Sequence, residues 1–225
     1  MRISYVNNTK MKKLWFITII VFISLNSWSQ TYVGVKGGYA FSTISFKPYQ
    51  ETKLLTDNGL DLGLFFKHYN SKYVGFQAEL YRINRGYMLP ADETNTVIFK
   101  RVNTYIELPI FLQFRLNLKF AYVHVNAGPY IAYLLSAEEG DNSSGSYKME
   151  SVKFNVLRDK RFDYGLMGGG GLSHDFKWGT IQAEFRISYG FADLYDHTYA
   201  DMPQQSKSVT QVINIGYFYR FGANQ

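Results

Sequence analysis

Apolar and polar residues alternate strictly over residues 104–117, which read TYIELPIFLQFRLN. One alternate set is entirely apolar: Ile106, Leu108, Ile110, Leu112, Phe114 and Leu116. The other set is mixed: Tyr105, Glu107, Pro109, Phe111, Gln113 and Arg115. A period of two is typical of a β-strand. The strand alone does not say whether its apolar face meets a protein core or a lipid bilayer.

Seven other segments alternate in the same way, so the sequence predicts an all-β protein. The eight predicted strands are 33–45, 60–67, 73–81, 104–117, 121–134, 162–173, 180–191 and 209–221. After residue 29, no segment of useful length follows the period of an α-helix.

The connections between these strands alternate between long and short. The long ones are 46–59, 82–99, 136–161 and 193–207, and the short ones are centred on residues 70, 118 and 177. A membrane barrel sorts its loops in this way, with short periplasmic turns and long extracellular loops. We therefore predict an eight-stranded antiparallel transmembrane β-barrel. The alternative is a soluble, lipocalin-like barrel with its apolar set inside.

The inward-facing set of such a barrel carries nearly balanced charge. We predict a structural polar network inside the barrel from Lys36, Asp61, Glu79, Glu107, Arg115, His124, Asp163, Glu184, Arg186 and Arg220. Eight strands enclose only enough space for side chains, so these charges must pair. Pro109 lacks a backbone donor, so we expect a local β-bulge there.

Residues 11–29 have the features of an export signal. Two lysines precede an apolar run of residues 14–25, and Ser27-Trp28-Ser29 resembles a cleavage site. We predict a signal peptide at 1–29, with Met11 as a natural start, and one barrel domain at 30–225. A retained membrane anchor is the alternative, but the run is short for a spanning helix. Removing residues 1–29 leaves a net charge of +2, which gives no basis for nucleic-acid binding.

Little in the composition supports catalysis or metal binding. The chain has no cysteine and four histidines. The loop at 193–201 gathers Asp193, Asp196, His197 and Asp201, a set that would suit a metal or an activated water. We interpret it as a solvated loop. The trio at 173–175 alternates between strand faces and cannot act as a triad.

Two further features have structural explanations. Residues 168–171 are four glycines without the lysine and helix of a phosphate loop, so we expect them to make room for large interior side chains. His124 lies on the inward face, where a hydrogen-bonded structural histidine is expected rather than a proton relay. We predict no catalytic residue, no metal and no cofactor.

Three motifs resemble the PorT-type outer-membrane β-barrel family. They are TYIELPIFLQFRLN, then VNAGPYIAYLL at 125–135, then FDYGLMGGGGL at 162–172, in the order found in that family. The resemblance spans essentially the whole mature chain and implies an eight-stranded barrel in the outer membrane. Tyr217, Tyr219 and Phe221 resemble its C-terminal assembly signal, although GANQ follows.

The resemblance itself implies little about activity, and the function we expect is a non-enzymatic, structural or interaction role in the cell envelope. A namesake member is similar to a component needed for type IX secretion, which implies an accessory role in protein secretion. The expected partners are outer-membrane lipid, the barrel-assembly machinery during insertion, and an envelope or secretion protein bound through the outer loops. The alternatives are a narrow small-solute pore and an outer-rim membrane hydrolase.

Overall fold

The computed structural model describes residues 30–55, 59–90, 97–142, 148–155, 158–199 and 202–221. The predicted signal peptide, the final GANQ and Asp201 lie outside the described residues. A search of the described part of the chain for a helix long and apolar enough to cross a membrane finds none.

Strands that are neighbours in the chain pair antiparallel to form a closed ring. Their bounds are β1 Gln30–Lys47, β2 Asp61–Tyr69, β3 Val74–Pro90, β4 Val97–Asn117, β5 Tyr122–Asp141, β6 Glu150–Ser151, β7 Phe162–Phe176, β8 Gly179–Asp193 and β9 Gln205–Phe221. Pairing of β1 with β9 closes the ring, and β6 is a two-residue strand on the upper edge of β5. The predicted eight-stranded antiparallel barrel is confirmed, with β6 as an addition.

The two faces of each strand differ in exposure as a membrane barrel requires. Leu112 on the outer face of β4 is 67% exposed, whereas its neighbour Gln113 is 1% exposed. Ten strand residues at about 3.3 Å each, tilted by about 40°, span about 25 Å, which matches the apolar band of such barrels. The outward apolar run of β4 from Ile106 to Leu116 has this length. This arrangement excludes the soluble alternative, whose apolar face would be buried.

Three strands continue past the apolar band on the long-loop side. β3 reaches Pro90, β4 begins at Val97 and β5 reaches Asp141, so parts of the predicted loops 82–99 and 136–161 are strand. The sequence pattern does not reveal these extensions, because outward positions there, such as Thr104 and Lys100 on β4, are no longer apolar. Alternation reports a strand only where one of its faces is uniformly apolar.

The predicted bulge at Pro109 is wrong. Pro109 pairs with Tyr130 of β5, and the β3–β4 register is the same on both sides of the proline. The missing N–H interrupts that ladder locally without inserting a residue. A register shift occurs instead between Thr104 and Tyr105, where Leu135 is the extra residue of β5.

The long connections form a folded outer lobe, which we define as residues 46–55, 87–90, 99–103, 137–142, 148–155, 158–161, 193–199 and 202–205. In its core Phe46, Tyr87, Leu194 and Tyr195 are buried together. Segment 53–55 lies between β1 and β3 above the end of β2, bonded to Ser42 and to Met88. These contacts close the gap left by the short strand β2.

Candidate functional site

The middle of the barrel interior is an ion-pair cluster around Arg186. The Arg186 guanidinium donates to Glu79 at 2.8 Å through Nη1 and to Glu184 at 2.7 Å through Nη2. Lys36 also pairs with Glu79. These residues come from β1, β3 and β8 and are all buried, so each charge is neutralised by a partner within the interior.

Amides and a histidine complete this cluster. Gln182 donates to Glu184 at 3.2 Å, and Asn126 donates to the same carboxylate. His124 Nε2 lies 3.7 Å from Glu184 Oε1 and is buried. The cluster is therefore a network of donors around two carboxylates, as a buried charged site requires.

The glycine run of β7 gives this cluster its space. A Cβ on Gly169 would lie 2.8 Å from Arg186 Cγ, and one on Gly171 would lie 2.1 Å from the Ala183 carbonyl oxygen. β7 pairs with β8 here, and Gly169 is the partner of Arg186. The run is thus a regular strand segment, and its inward-facing glycines leave room for the large side chains of β8.

A second ion-pair cluster lies nearer the outer lobe. Arg85 pairs with Asp163 at 3.0 Å and also with Glu107, and Tyr130 donates to Asp163 at 3.0 Å. Asp61 accepts a hydrogen bond from a backbone N–H of β3 at 2.9 Å. A cavity of about 20 Å³ beside this cluster has room for about one water molecule.

Aromatic rings fill the interior near the short turns. Tyr32, Phe65, Tyr69 and Phe218 form a buried cluster with edge-to-face contacts. The Arg115 guanidinium lies 3.6 Å from the Tyr69 ring centre, and Lys67 lies 4.1 Å from that of Phe218. These stacked cations and rings close the periplasmic end of the interior.

Nine of the ten residues predicted for the interior network are buried in the barrel, and the exception is Arg220, which is partly exposed. The Arg220 side chain is 38% exposed at the short-turn end and lies 3.7 Å from Asp175. The prediction omitted Lys67, which follows the last apolar residue of its segment, and Arg85, which lies beyond the predicted end of β3. Besides His124, the barrel interior of the described residues therefore holds five lysines and arginines and five carboxylic acids: Lys36, Lys67, Arg85, Arg115, Arg186, Asp61, Glu79, Glu107, Asp163 and Glu184.

Asp193 and Asp196, the two carboxylates of the 193–201 loop that the structure describes, serve local structure. Asp193 accepts from the Ser206 N–H at 2.7 Å and lies 3.5 Å from Lys207. Asp196 accepts from the Thr198 hydroxyl at 2.7 Å, and this hydrogen bond lowers the pKa of Asp196. In the described part of the chain, no three metal-ligating side chains come together.

The residues 173–175 are not brought together as a triad. His174 points outward, where its ring nitrogen lies 2.5 Å from the Phe120 carbonyl. Asp175 points toward the interior side and contacts Thr180 and Arg220. The strand geometry thus separates the groups, as the alternation of strand faces predicts.

A charged and aromatic site in the outer lobe was missed by sequence reasoning. Arg101 is almost fully buried there, donates to Asn103 at 3.0 Å and lies 3.7 Å from Asp159. Tyr87 and Tyr195 share a hydrogen bond of 3.0 Å beside it. Its partners come from segments predicted as polar loops, so no pattern could have joined them.

An open cleft of about 640 Å³ lies over this site. It is lined chiefly by aromatic rings, prolines and two arginines. Tyr49 at its edge is 87% exposed, and Arg158 is partly exposed and pairs with Asp159 at 2.9 Å. This outer cleft is the candidate surface for binding a partner.

Several solved structures are similar to the chain at low identity. Ail of Yersinia pestis is 18% identical, with 85% of this chain and 99% of that chain covered and a TM-score of 0.42. Neisserial surface protein A is 10% identical, with 86% and 100% covered and a TM-score of 0.45. OprG of Pseudomonas aeruginosa is 12% identical, with 87% and 96% covered and a TM-score of 0.46. No curated protein matches the chain.

A family model settles the classification. The model described as "Outer membrane protein beta-barrel domain" matches residues 28–196, which is most of the chain. The matched region includes the first seven strands of the ring and the outer lobe up to Asp196. With its closed antiparallel ring and apolar outer face, the chain belongs to the outer membrane protein beta-barrel domain family.

Proposed function

We propose that this protein is a non-enzymatic interaction barrel of the outer membrane, which binds another envelope protein through its outer lobe. In the finer form suggested by its PorT-like motifs, it is an accessory of protein secretion. The observation that carries the proposal is the contrast between the two parts of the molecule. The interior is filled by paired charges and rings, whereas the outer end carries a folded lobe with an open cleft.

The filled interior argues against transport. A solute crossing the barrel would have to part the Arg186 cluster, the Arg85 cluster and the aromatic cluster around Tyr69. Removing one partner from a buried ion pair costs about 3–5 kcal/mol, so opening several layers together is strongly unfavourable. The narrow pore is therefore the weaker candidate.

The outer lobe has the chemistry of a protein-binding surface. Its cleft presents the exposed Tyr49 and the partly exposed Arg158 above the buried Tyr195. Aromatic and arginine side chains are enriched where protein interfaces gain most affinity. The three strands β3, β4 and β5 support the lobe, since their extensions stay paired to one another. A preorganised surface loses little entropy on binding.

The proposal is tested by complementing a deletion strain. Wild-type protein should restore secretion of cargo proteins to the medium, and the double variant Tyr49→Ala, Arg158→Ala should restore less than about one tenth of it, as loss of interface anchors predicts. Lys148→Ala, on the lobe but off the cleft, is the matched control. Each variant must reach the outer membrane at wild-type level. Normal secretion in the deletion strain would contradict the secretion role.

A cross-linking experiment tests partner binding separately. A photoreactive residue at position 49 should capture one defined envelope protein in intact cells, and the Arg158→Ala change should reduce that capture. Capture of no protein, or equal capture by the variant, would contradict binding through the cleft.

The alternatives have direct tests. In planar bilayers the purified barrel should give no single-channel conductance, because charged and aromatic side chains occupy its whole cross-section. Discrete conductance steps would favour the pore. Hydrolase activity that disappears on His197→Ala would favour the enzyme.

We also propose that residues 1–29 are an export signal cleaved before Gln30. The proposal is supported by the lysines and the apolar run of this segment. The mass of the protein extracted from outer membranes tests this proposal. A mass that still includes residues before Gln30 would contradict it.

A further inference from the structure

Every short turn of the barrel carries the same pair of residues. A lysine is followed at once by an aromatic residue in Lys72–Tyr73, Lys119–Phe120 and Lys177–Trp178. All six side chains are exposed. Two of the turns have four residues, 70–73 and 118–121, and the third has two, 177–178. The pair occupies a different position in each turn, so the repetition does not come from one local turn motif.

The pairs are spaced around the circumference of the barrel. The turns join β2 to β3, β4 to β5, and β7 to β8, and the fourth strand pair, β9 with β1, ends in Arg220 and Phe221. Each of the four neighbouring strand pairs therefore ends in one base beside one aromatic ring. We call residues 70–73, 118–121, 176–178 and 219–221, with Asp175, the short-turn rim.

The short-turn rim is strongly one-sided in charge. Asp175 is the single acid among these residues, and it lies 3.7 Å from Arg220, which leaves the three lysines without a carboxylate on the rim. The outer lobe carries both signs, for example Lys148 with Glu150 and Lys160 with Asp196. The excess of positive charge thus belongs to the periplasmic end.

The aromatic residues place these lysines at the depth of lipid headgroups. Trp178 stacks on Phe176 at 4.9 Å and on Tyr217 at 5.6 Å, and Tyr73 stacks on Phe114 at 6.3 Å. Such rings form the aromatic girdle of membrane barrels at the membrane–water interface. A lysine beside the ring extends its flexible stem along the apolar surface and places its ammonium group among phosphates.

We propose that the short-turn rim binds anionic phospholipid headgroups of the periplasmic leaflet, one at each lysine–aromatic pair. Lipid fits the arrangement because it surrounds the barrel, whereas a protein partner would contact one side of it. A basic residue at an anionic membrane surface gains enough attraction to enrich an anionic lipid roughly fivefold beside it. The rim would thereby anchor the barrel at a fixed depth in that leaflet.

Trp178 is a natural reporter for this inference. The chain has three tryptophans, and Trp15→Phe with Trp28→Phe leaves Trp178, beside Lys177, as the only one. The full chain with these changes is reconstituted in nanodiscs of phosphatidylcholine that contain a minor fraction of brominated lipid. Quenching of Trp178 then measures which headgroup class collects beside Lys177.

Brominated phosphatidylglycerol should quench Trp178 as strongly as a several-fold larger fraction of brominated phosphatidylcholine. Lys177→Gln should abolish this excess quenching by the anionic lipid, and Lys177→Arg should keep it. Lys72→Gln, on the opposite side of the ring, and Lys160→Gln, in the outer lobe, should leave it unchanged. About 1 M salt should remove the excess quenching in the protein with an unaltered rim. At that salt concentration the Debye length is about 3 Å, so the attraction between Lys177 and the headgroup is screened.

Equal quenching by the two brominated lipids would overturn the inference, as would an excess that survives both Lys177→Gln and high salt. The salt comparison needs no rim variant, so a folding defect in Lys177→Gln leaves the inference testable. The shifted electrophoretic mobility of folded barrels verifies each sample.

Discussion

Replacement of Arg186 by methionine should be among the most destabilising single changes in the barrel. Arg186 contributes to both carboxylates of the middle cluster, with donor–acceptor distances of 2.8 Å to Glu79 and 2.7 Å to Glu184. Methionine has a similar length and an apolar stem, so the Arg186→Met change mainly removes charge and hydrogen bonds. It leaves two buried carboxylates, of which Glu79 keeps its ion pair with Lys36.

The magnitude follows from burial. Breaking a buried ion pair by removing one partner costs about 3–5 kcal/mol, because the remaining charge stays in a medium of low polarity. The guanidinium also lies 4.4 Å from the Phe111 ring centre, a contact worth about 1 kcal/mol or more when desolvated. We expect a loss of about 3–5 kcal/mol in the free energy of unfolding.

Arg220→Met is the matched control. Its side chain is 38% exposed and lies 3.7 Å from Asp175, and exposed pairs contribute about 0–1 kcal/mol. Both variants are unfolded by urea in lipid vesicles and followed by the electrophoretic shift of folded barrels. A loss below about 1 kcal/mol for Arg186→Met would refute a charged network that depends on pairing.

Three further substitutions test other parts of the structure. Leu112→Arg, in the middle of the lipid face, should cost about 2–4 kcal/mol in vesicles, whereas Leu118→Arg in a short turn should cost about 1 kcal/mol or less; equal losses would contradict the assigned membrane zone. Gly171→Ala should block folding, since its Cβ meets a carbonyl oxygen at 2.1 Å, whereas Gly168→Ala, whose nearest atom is 3.6 Å away, should fold normally in the mobility assay. Leu55→Ala should make the outer lobe sensitive to trypsin, because it empties a fully buried position at a cost of about 2 kcal/mol or more; unchanged protection would contradict the role of segment 53–55.

The sequence predicts the membrane-embedded part of the barrel well because lipid imposes a simple rule there. Wherever the outer face meets acyl chains it must be apolar, so the alternation of Ile106 to Leu116 marks both the strand and its direction. The order of long and short connections then gives the topology without any knowledge of residue contacts. Both predictions rest on local chemistry that each strand carries by itself.

The same rule fails outside the bilayer. Water tolerates polar and apolar residues alike, so the extensions of β3 to Pro90 and β5 to Asp141 lack a uniform face and were predicted as loops. Arg85 and Arg101 were missed for this reason, since Arg85 lies in the extension of β3 and Arg101 lies in the first part of β4, ahead of the predicted strand 104–117. Their partners, Asp163 and Asp159, are distant in sequence, and only the closed ring brings them together.

Strand direction alone also misplaced Arg220. Its position has inward parity, but it lies within the last residues before the short-turn end, where the side chain reaches water. Parity specifies a face, and depth along the barrel axis decides whether that face is buried. The aromatic residues from Tyr217 to Phe221 mark the membrane–water interface, so they indicate that Arg220 lies at the end of the barrel rather than in its middle.

The central claim, that apolar side chains face lipid and ionic ones face a closed interior, is tested most directly by spin labels along β4. The chain has no cysteine, so single cysteines placed from Ile106 to Leu116 can be labelled one at a time and reconstituted in bilayers. Labels at even positions should collide freely with oxygen dissolved in the lipid, and labels at odd positions should collide little with oxygen or with a water-soluble nickel chelate. The account would be contradicted if labels at odd positions collided with the nickel chelate along the whole strand. It would also be contradicted if oxygen accessibility showed no period of two.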